Sequence, residues 1–213
     1  MRILVADDHE MVRRGLRSLL EAHPGWVVCA ECANGREAVQ RSAEVVPDVA
    51  VLDVTMPELD GIEAARRIRH DRPSVATVIF SVHDTEQMVR QVLLAGACGY
   101  VAKSTSPRDV VSAVDAAHRH LPVFLTSSFD CVLRKLAGEA SAWPEGELSV
   151  LSRREREIVQ LLAEDQSNKE VSTTLGIALK TVEAHRAKIM RKIRVESAAG
   201  LVRYAIRNHL VEA

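Results

Sequence analysis

Four short apolar runs in the first half of the chain end in residues that carry a charge or a hydroxyl. Val49 to Leu52 is closed by Asp53 in "VAVLDVTMPELDG", Ile3 to Ala6 by Asp7 and Asp8, Thr77 to Phe80 by Ser81, and Gly99 to Ala102 by Lys103. A carboxylate closing a hydrophobic segment is costly unless neighbouring groups make use of it. Three carboxylates brought together repel and take up protons unless a divalent cation joins them, and a few hard oxygen ligands suit Mg²⁺. A cation, an ammonium and a hydroxyl around one carboxylate form a site for a phosphoryl group, because phosphoryl transfer is mostly positioning and charge neutralisation. In that setting Asp53 is the nucleophile and an acyl phosphate is its product.

The same runs define the elements that must carry these groups. Five β-branched segments, at Ile3 to Ala6, Trp26 to Cys29, Val49 to Leu52, Thr77 to Phe80 and Gly99 to Ala102, alternate with stretches of helical spacing. Val12, Leu16, Leu19 and Leu20 form one such stripe, and Val110, Val111, Val114 and Ala117 another. This alternation predicts an α/β domain over residues 1–120, a five-stranded parallel doubly wound sheet of flavodoxin-like type. Ligands of such sheets bind beyond the carboxyl ends of the strands, so all five chemistry-bearing positions converge on one edge. Residues 121–147 lose the pattern and read as a linker, with a short helix through "DCVLRKLAG". Residues 148–213 hold helical patterns only and predict a small all-α domain of four helices.

Composition narrows the function classes. No stretch approaches the ~20 apolar residues of a membrane span, and acids follow too soon after Met1 for a signal peptide, so a cytoplasmic protein without membrane contact is expected. Cys29 and Cys32 form a C-x-x-C in a strand running into a loop, which reads as packing rather than redox or zinc chemistry. Glycine-rich nucleotide cradles are missing after every strand. The formal net charge of −1 conceals a split: residues 1–122 hold 14 Lys and Arg against 17 Asp and Glu, and residues 148–213 hold 12 against 8. Two parts with different partners are implied.

Asp7 and Asp8, Asp53 with Met56, Pro57 and Gly61, Ser81 and Lys103 together resemble the receiver domain of two-component response regulators. The resemblance implies that Asp53 is the phosphoacceptor and that Asp8 and Asp53, with the Thr55 carbonyl, hold Mg²⁺, Asp7 reaching it through water. It further implies that Ser81 follows the phosphoryl group, that Lys103 contacts one of its oxygens, and that Tyr100 is the aromatic that rotates on activation. Ser104 stands where many receivers have proline, and Thr55 lies where a side chain can influence the access of water to the phosphoryl group. A phosphatase of the haloacid dehalogenase type would require a second acid at position 55, so the chain is not expected to be an enzyme.

In the tail, "SNKEVSTTLG" predicts a helix from Ser167 to Leu175 stopped by Gly176, and "KTVEAHRAKIMRKIR" a second beginning near Leu179. Val182, Ile189 and Ile193, with the stem of Arg186, share one face of the second helix. "LSRREREIVQLLAED", "SNKEVSTTLGI" and "TVEAHRAKIMRKI" resemble the LuxR-type helix-turn-helix, and the whole chain is similar to the NarL/FixJ subfamily of response regulators. The resemblance places Glu183, Ala184 and Ala187 against bases of double-stranded DNA, and Lys169, Lys180, Thr181, Arg186, Lys188 and Arg191 against its backbone. It also implies a sensor histidine kinase as partner, a homodimer when phosphorylated or DNA-bound, and RNA polymerase as a further partner. In the subfamily the unphosphorylated receiver can cover the recognition helix. Two departures stand out: Ala178 replaces the usual N-cap serine, which typically costs ~1 kcal/mol, and Glu183 replaces a common lysine. Gly200 is expected to weaken the last helix by up to ~1 kcal/mol relative to alanine. A phosphorylated protein-interaction switch with weak DNA binding is the alternative.

Overall fold

The structure is a computed structural model that describes residues 1–126, 128, 129, 132 and 151–211. These residues fall into two compact units, one N-terminal and one C-terminal. The short helix expected through "DCVLRKLAG" lies, for nearly all its length, outside the described residues.

In the N-terminal unit, β1 (Arg2–Ala6), β2 (Val27–Cys32), β3 (Val49–Leu52), β4 (Ala76–Ser81), β5 (Gly99–Ala102) and β6 (Val123–Leu125) alternate with five helices. These are α1 (Glu10–Glu21), α2 (Gly35–Val45), α3 (Gly61–Asp71), α4 (Glu86–Ala95) and α5 (Pro107–His118). The sheet order is β2-β1-β3-β4-β5-β6, and every pair is parallel. Every residue of β3, β4 and β5 is buried, as strands covered on both faces require.

The expected five-stranded sheet is corrected to six strands. β6 pairs Val123 to Gly99, Phe124 to Tyr100 and Leu125 to Val101, inside the segment expected to be linker. Its three half-buried residues are too few to show a period. Gly99 is what admits it: a Cβ there would lie 2.7 Å from the Val123 carbonyl oxygen. β2 also runs further than expected, to Cys32, with Val28, Ala30 and Cys32 turned inward. Cys29 and Cys32 therefore lie on opposite faces of one strand. Burial raises both thiols, that of Cys32 to about 12, which suits packing and not redox work.

The helices begin where side chains can cap them. Asn34, Asp60, Thr85 and Ser106 each accept a backbone N–H three residues on, at the starts of α2, α3, α4 and α5. The sheet core gathers Ile3, Val5, Val49, Val51, Val78, Phe80 and Val101, with Leu16 and Leu20 of α1 and Val110, Val114 and Ala117 of α5 closing one side.

The C-terminal unit has α6 (Arg153–Ala163), α7 (Asn168–Leu175), α8 (Leu179–Lys192) and α9 (Ala198–Arg207). Ile158, Leu161, Val171, Val182, Ile189, Leu201 and Ala205 meet in its core. Ser152 with Glu155 and Ser167 with Glu170 form reciprocal capping boxes on α6 and α7. Gly176 ends α7 at φ +62°, giving the turn into α8. Gly200 proves to be a packing requirement, since a Cβ there would meet the Val195 Cβ at 2.9 Å. Ala178 caps α8 with no side-chain hydrogen bond. Ala178→Ser is expected to stabilise the C-terminal unit by about 1 kcal/mol, measured by urea unfolding of the full chain followed at the α8 amide NMR signals.

Candidate functional site

The strand order reverses between β1 and β3, which opens a crevice beyond their carboxyl ends. Asp7 and Asp8 leave β1, Asp53 leaves β3, and Lys103 follows β5. Lys103 reaches across: its Nζ lies 2.7 Å from Asp7 Oδ2 and 3.1 Å from Asp53 Oδ2. Both carboxylates are buried, at 0% and 4% exposure, so one ammonium serves two desolvated acids. Burial pushes the Asp53 carboxyl up to about 7; Lys103 opposes that rise and Asp7 adds to it. Burial alone would lower the Lys103 ammonium, but the two carboxylates hold it raised.

Donor atoms of Asp7, Asp8, His9 and Asp53 all lie within 4.8 Å of one another. Three carboxylates against one ammonium leave an excess of negative charge on hard oxygen donors, so the residues present fit Mg²⁺. The surrounding loops are built to hold them. The Val54 N–H donates to Asp53 Oδ1 at 2.8 Å, and the Gly61 N–H donates to the Val54 carbonyl at 2.9 Å. Gly61 is obligatory here, because a Cβ would sit 1.7 Å from the Asp53 carbonyl oxygen. Thr55 is buried, and its hydroxyl has no hydrogen-bond partner among the described residues.

Two residues that the sequence reading did not single out organise the acid pair. The His9 N–H donates to Asp7 Oδ1 at 2.9 Å, and its ring Nδ1 lies 2.7 Å from Asp8 Oδ1. Arg13 donates through one nitrogen to the carbonyls of Asp7, at 2.7 Å, and Asp8, at 3.1 Å. Those carbonyls are thereby occupied, while the carboxylate oxygens of Asp7 and Asp8 gather with that of Asp53. The spacing of Arg13 from Asp8, just over one helical turn, was the available signal.

Ser81 and Tyr100 lie on neighbouring strands and are fully buried. Ser81 Oγ accepts the His83 N–H at 3.2 Å, and the Tyr100 hydroxyl donates to the His83 carbonyl. The two expected switch residues therefore hold the two flanking peptide groups of one residue, His83, in the loop between β4 and α4.

In the C-terminal unit, Val182 and Ile189 of α8 are buried, while Lys180, Thr181, Glu183, Ala184, Ala187, Lys188 and Arg191 are exposed, as is Lys169 on α7. Arg186 is drawn inward: one guanidinium nitrogen donates to the Asn168 side chain at 3.2 Å, joining α8 to α7. Lys192 Nζ lies 2.6 Å from Glu155, whose side chain is 1% exposed, and Lys188 Nζ is 3.6 Å from it. Burial alone would raise the Glu155 carboxyl, but the Lys192 and Ser152 hydrogen bonds outweigh it and bring it down to about 2. Glu155 thus fixes α8 to α6 at the edge of the exposed face, through Lys192 and with Lys188 nearby. Among the described residues no helix is long and apolar enough to cross a membrane.

Comparison with known proteins agrees with both units. Residues 3–115 match the response regulator receiver domain family, and residues 149–205 match the bacterial regulatory proteins of the luxR family. The transcriptional regulatory protein LiaR of Bacillus subtilis is 36% identical over 213 residues, covering 99% of each chain. The response regulator protein VraR of Staphylococcus aureus is 31% identical over 212 residues, covering 100% of this chain and 99% of the relative. Among solved structures, RcsB of Salmonella enterica serovar Typhimurium, bound to promoter rprA in the presence of phosphomimetic BeF3-, matches with a TM-score of 0.63 at 25% identity, covering 96% of this chain and 97% of that one.

The Glu155 geometry gives a pH dependence with a definite sign. A carboxyl lowered from 4.5 to about 2 contributes stability that is present above pH 4.5 and is lost as pH falls toward 2. Acid titration of the full chain, followed at the α8 amides, should show the C-terminal unit losing stability across that window, and Glu155→Gln should remove that part of the profile.

Proposed function

The chain belongs to the response regulators that join a receiver domain to a LuxR-family helix-turn-helix domain, and on that footing we propose how its residues divide the work. It is a DNA-binding response regulator of a two-component system, taking a phosphoryl group from a sensor histidine kinase and regulating transcription through its C-terminal helix-turn-helix. Asp53 is the phosphoacceptor. The observation that carries this assignment is the single Lys103 ammonium between buried Asp7 and Asp53: Asp53 is the acid that stands centrally, at the end of β3, with its neighbours arranged around it.

The residues act as follows. Lys103 lies against Asp53 Oδ2 and stays available to an oxygen of the arriving phosphoryl group. Ser81, one strand away, offers the hydroxyl that follows it. Asp7, Asp8, Asp53 and the Thr55 carbonyl would hold Mg²⁺, whose charge offsets that of the phosphoryl oxygens. Burial of Asp53 limits water at the acyl phosphate, and Thr55 lines the same buried loop. The chain is a regulator and not an enzyme acting on an external substrate, and it works in the cytoplasm.

We place the receiver at residues 1–120, extended by β6, and the DNA-binding domain at residues 148–213. The exposed face of α8 offers Glu183, Ala184 and Ala187 to base edges, while Lys169, Lys180, Thr181, Lys188 and Arg191 meet phosphates. Arg186 adds a phosphate contact through the nitrogens that Asn168 leaves open. Two copies bind together on inverted half-sites, with RNA polymerase as a further partner at the promoter. Glu183 and the uncapped Ala178 favour modest general affinity, the one feature the protein-interaction reading shares.

Incubation with acetyl phosphate and Mg²⁺ is expected to add one phosphoryl group by intact mass, and Asp53→Asn should abolish it; labelling retained in that variant would overturn the assignment. Glu183→Lys is expected to raise non-specific DNA affinity and to steepen its log–log salt dependence by about one unit, read by fluorescence anisotropy across a salt series.

A further inference from the structure

Asp84 follows His83 in the loop between β4 and α4, and it binds a segment more than forty residues away in the chain. Its Oδ1 accepts from the Thr126 hydroxyl and, at 3.3 Å, from the Ser128 N–H. Its backbone carbonyl accepts from the Ser128 hydroxyl at 3.1 Å. The turn that supplies these donors is itself packed: Phe124 of β6 stacks on Phe129 with ring centroids 4.4 Å apart and planes 7° apart, and Val132 is 1% exposed. β6 is thus followed by two residues, Thr126 and Ser128, fastened to Asp84.

The other side of that fastening is the pair of switch residues. Ser81 Oγ holds the His83 N–H and the Tyr100 hydroxyl holds the His83 carbonyl, so the residue preceding Asp84 is held on both sides. A phosphoryl group on Asp53 offers charged acceptor oxygens to the Ser81 O–H, and hydrogen bonds to ionised acceptors are roughly twice as strong as those between neutral groups, so the hydroxyl turns toward it. Reorienting Ser81 disturbs its bond to the His83 N–H, and Asp84 is the next residue. Such a rearrangement is a difference in contacts between two states, which is what coupling between sites requires.

We propose that Asp84 is a latch that passes the phosphorylation state of Asp53 to the turn at Thr126 and Ser128, and through the covalent chain beyond it to the DNA-binding unit. The proposal rests on the reading of Asp53 as phosphoacceptor. In one state Asp84 holds the turn; in the other the His83 peptide has shifted and the three bonds are redistributed. The chain after β6 then leaves the sheet under a different constraint in each state. A purely structural staple would hold the turn equally in both states and carry no signal.

The test uses the full chain and reads three quantities on each variant: phosphoryl incorporation from acetyl phosphate by intact mass, melting temperature, and the ratio of DNA affinities with and without the phosphoryl group. The unmodified chain is expected to show a ratio of roughly 5- to 150-fold, the usual range for coupled sites. In the Thr126→Val, Ser128→Ala double variant, incorporation should be unchanged and the ratio should fall to within about twofold of unity. Asp84→Asn, which keeps an acceptor oxygen and loses the charge, should give an intermediate ratio. A lowered melting temperature with the ratio intact in these variants would show a staple and overturn the latch. Absence of incorporation in the unmodified chain would overturn the Asp53 assignment instead, and the latch with it.

Discussion

One lysine ammonium placed between two buried carboxylates is the interaction on which the N-terminal unit depends. Lys103 can reach Asp7 and Asp53 together because β5, β3 and β1 deliver their carboxyl ends to one edge in parallel. The cost of desolvating Asp7 and Asp53 is offset only in part by one cation, which is why the Asp53 carboxyl is pushed up to about 7. The site is therefore left with unmet demand for positive charge. That demand suits a divalent ion and fits the proposed role of the carboxylate as phosphoacceptor. Around it the backbone is over-determined: Gly61 lies against the Asp53 carbonyl, and Arg13 holds the carbonyls of Asp7 and Asp8.

The C-terminal unit solves a different problem with a similar device. Its recognition helix must present a polar, partly basic face to solvent while standing firmly on a small core. Val182 and Ile189 supply the apolar footing, and the Glu155 carboxylate draws Lys192, with Lys188 nearby, to the α6 side. Here a buried acid is fully met, its carboxyl held at about 2, and the result is rigidity. In the receiver a buried acid is incompletely met, and the result is a capacity to react.

Much of this was legible in the sequence because charge at the end of an apolar run is an unusual pattern. Asp7, Asp8, Asp53, Ser81 and Lys103 were each singled out by a charge or hydroxyl in that place, and the end of α7 followed from Gly176. The sixth strand was missed because three half-buried residues have no period, although Gly99 carried the signal as a glycine within a strand. Helical propensity makes Gly200 a weakness, whereas contact with Val195, invisible to that propensity, makes it a packing requirement. Arg13, His9 and Asp84 act through backbone groups and loop contacts, which residue type alone does not disclose. Arg186 has its stem on the apolar face by spacing and a DNA-backbone role by resemblance, and its bond to Asn168 gives it a share in joining two helices.

In the proposed coupling, chemistry at Asp53 alters the state of a helix in the other unit. Hydrogen–deuterium exchange on the full chain, compared before and after treatment with acetyl phosphate and Mg²⁺, tests it most directly when residues 81–86 and 179–192 are read in the same digest. The account predicts that exchange changes in both segments and that neither changes in Asp53→Asn. A change confined to residues 81–86, with 179–192 unaltered, would contradict it.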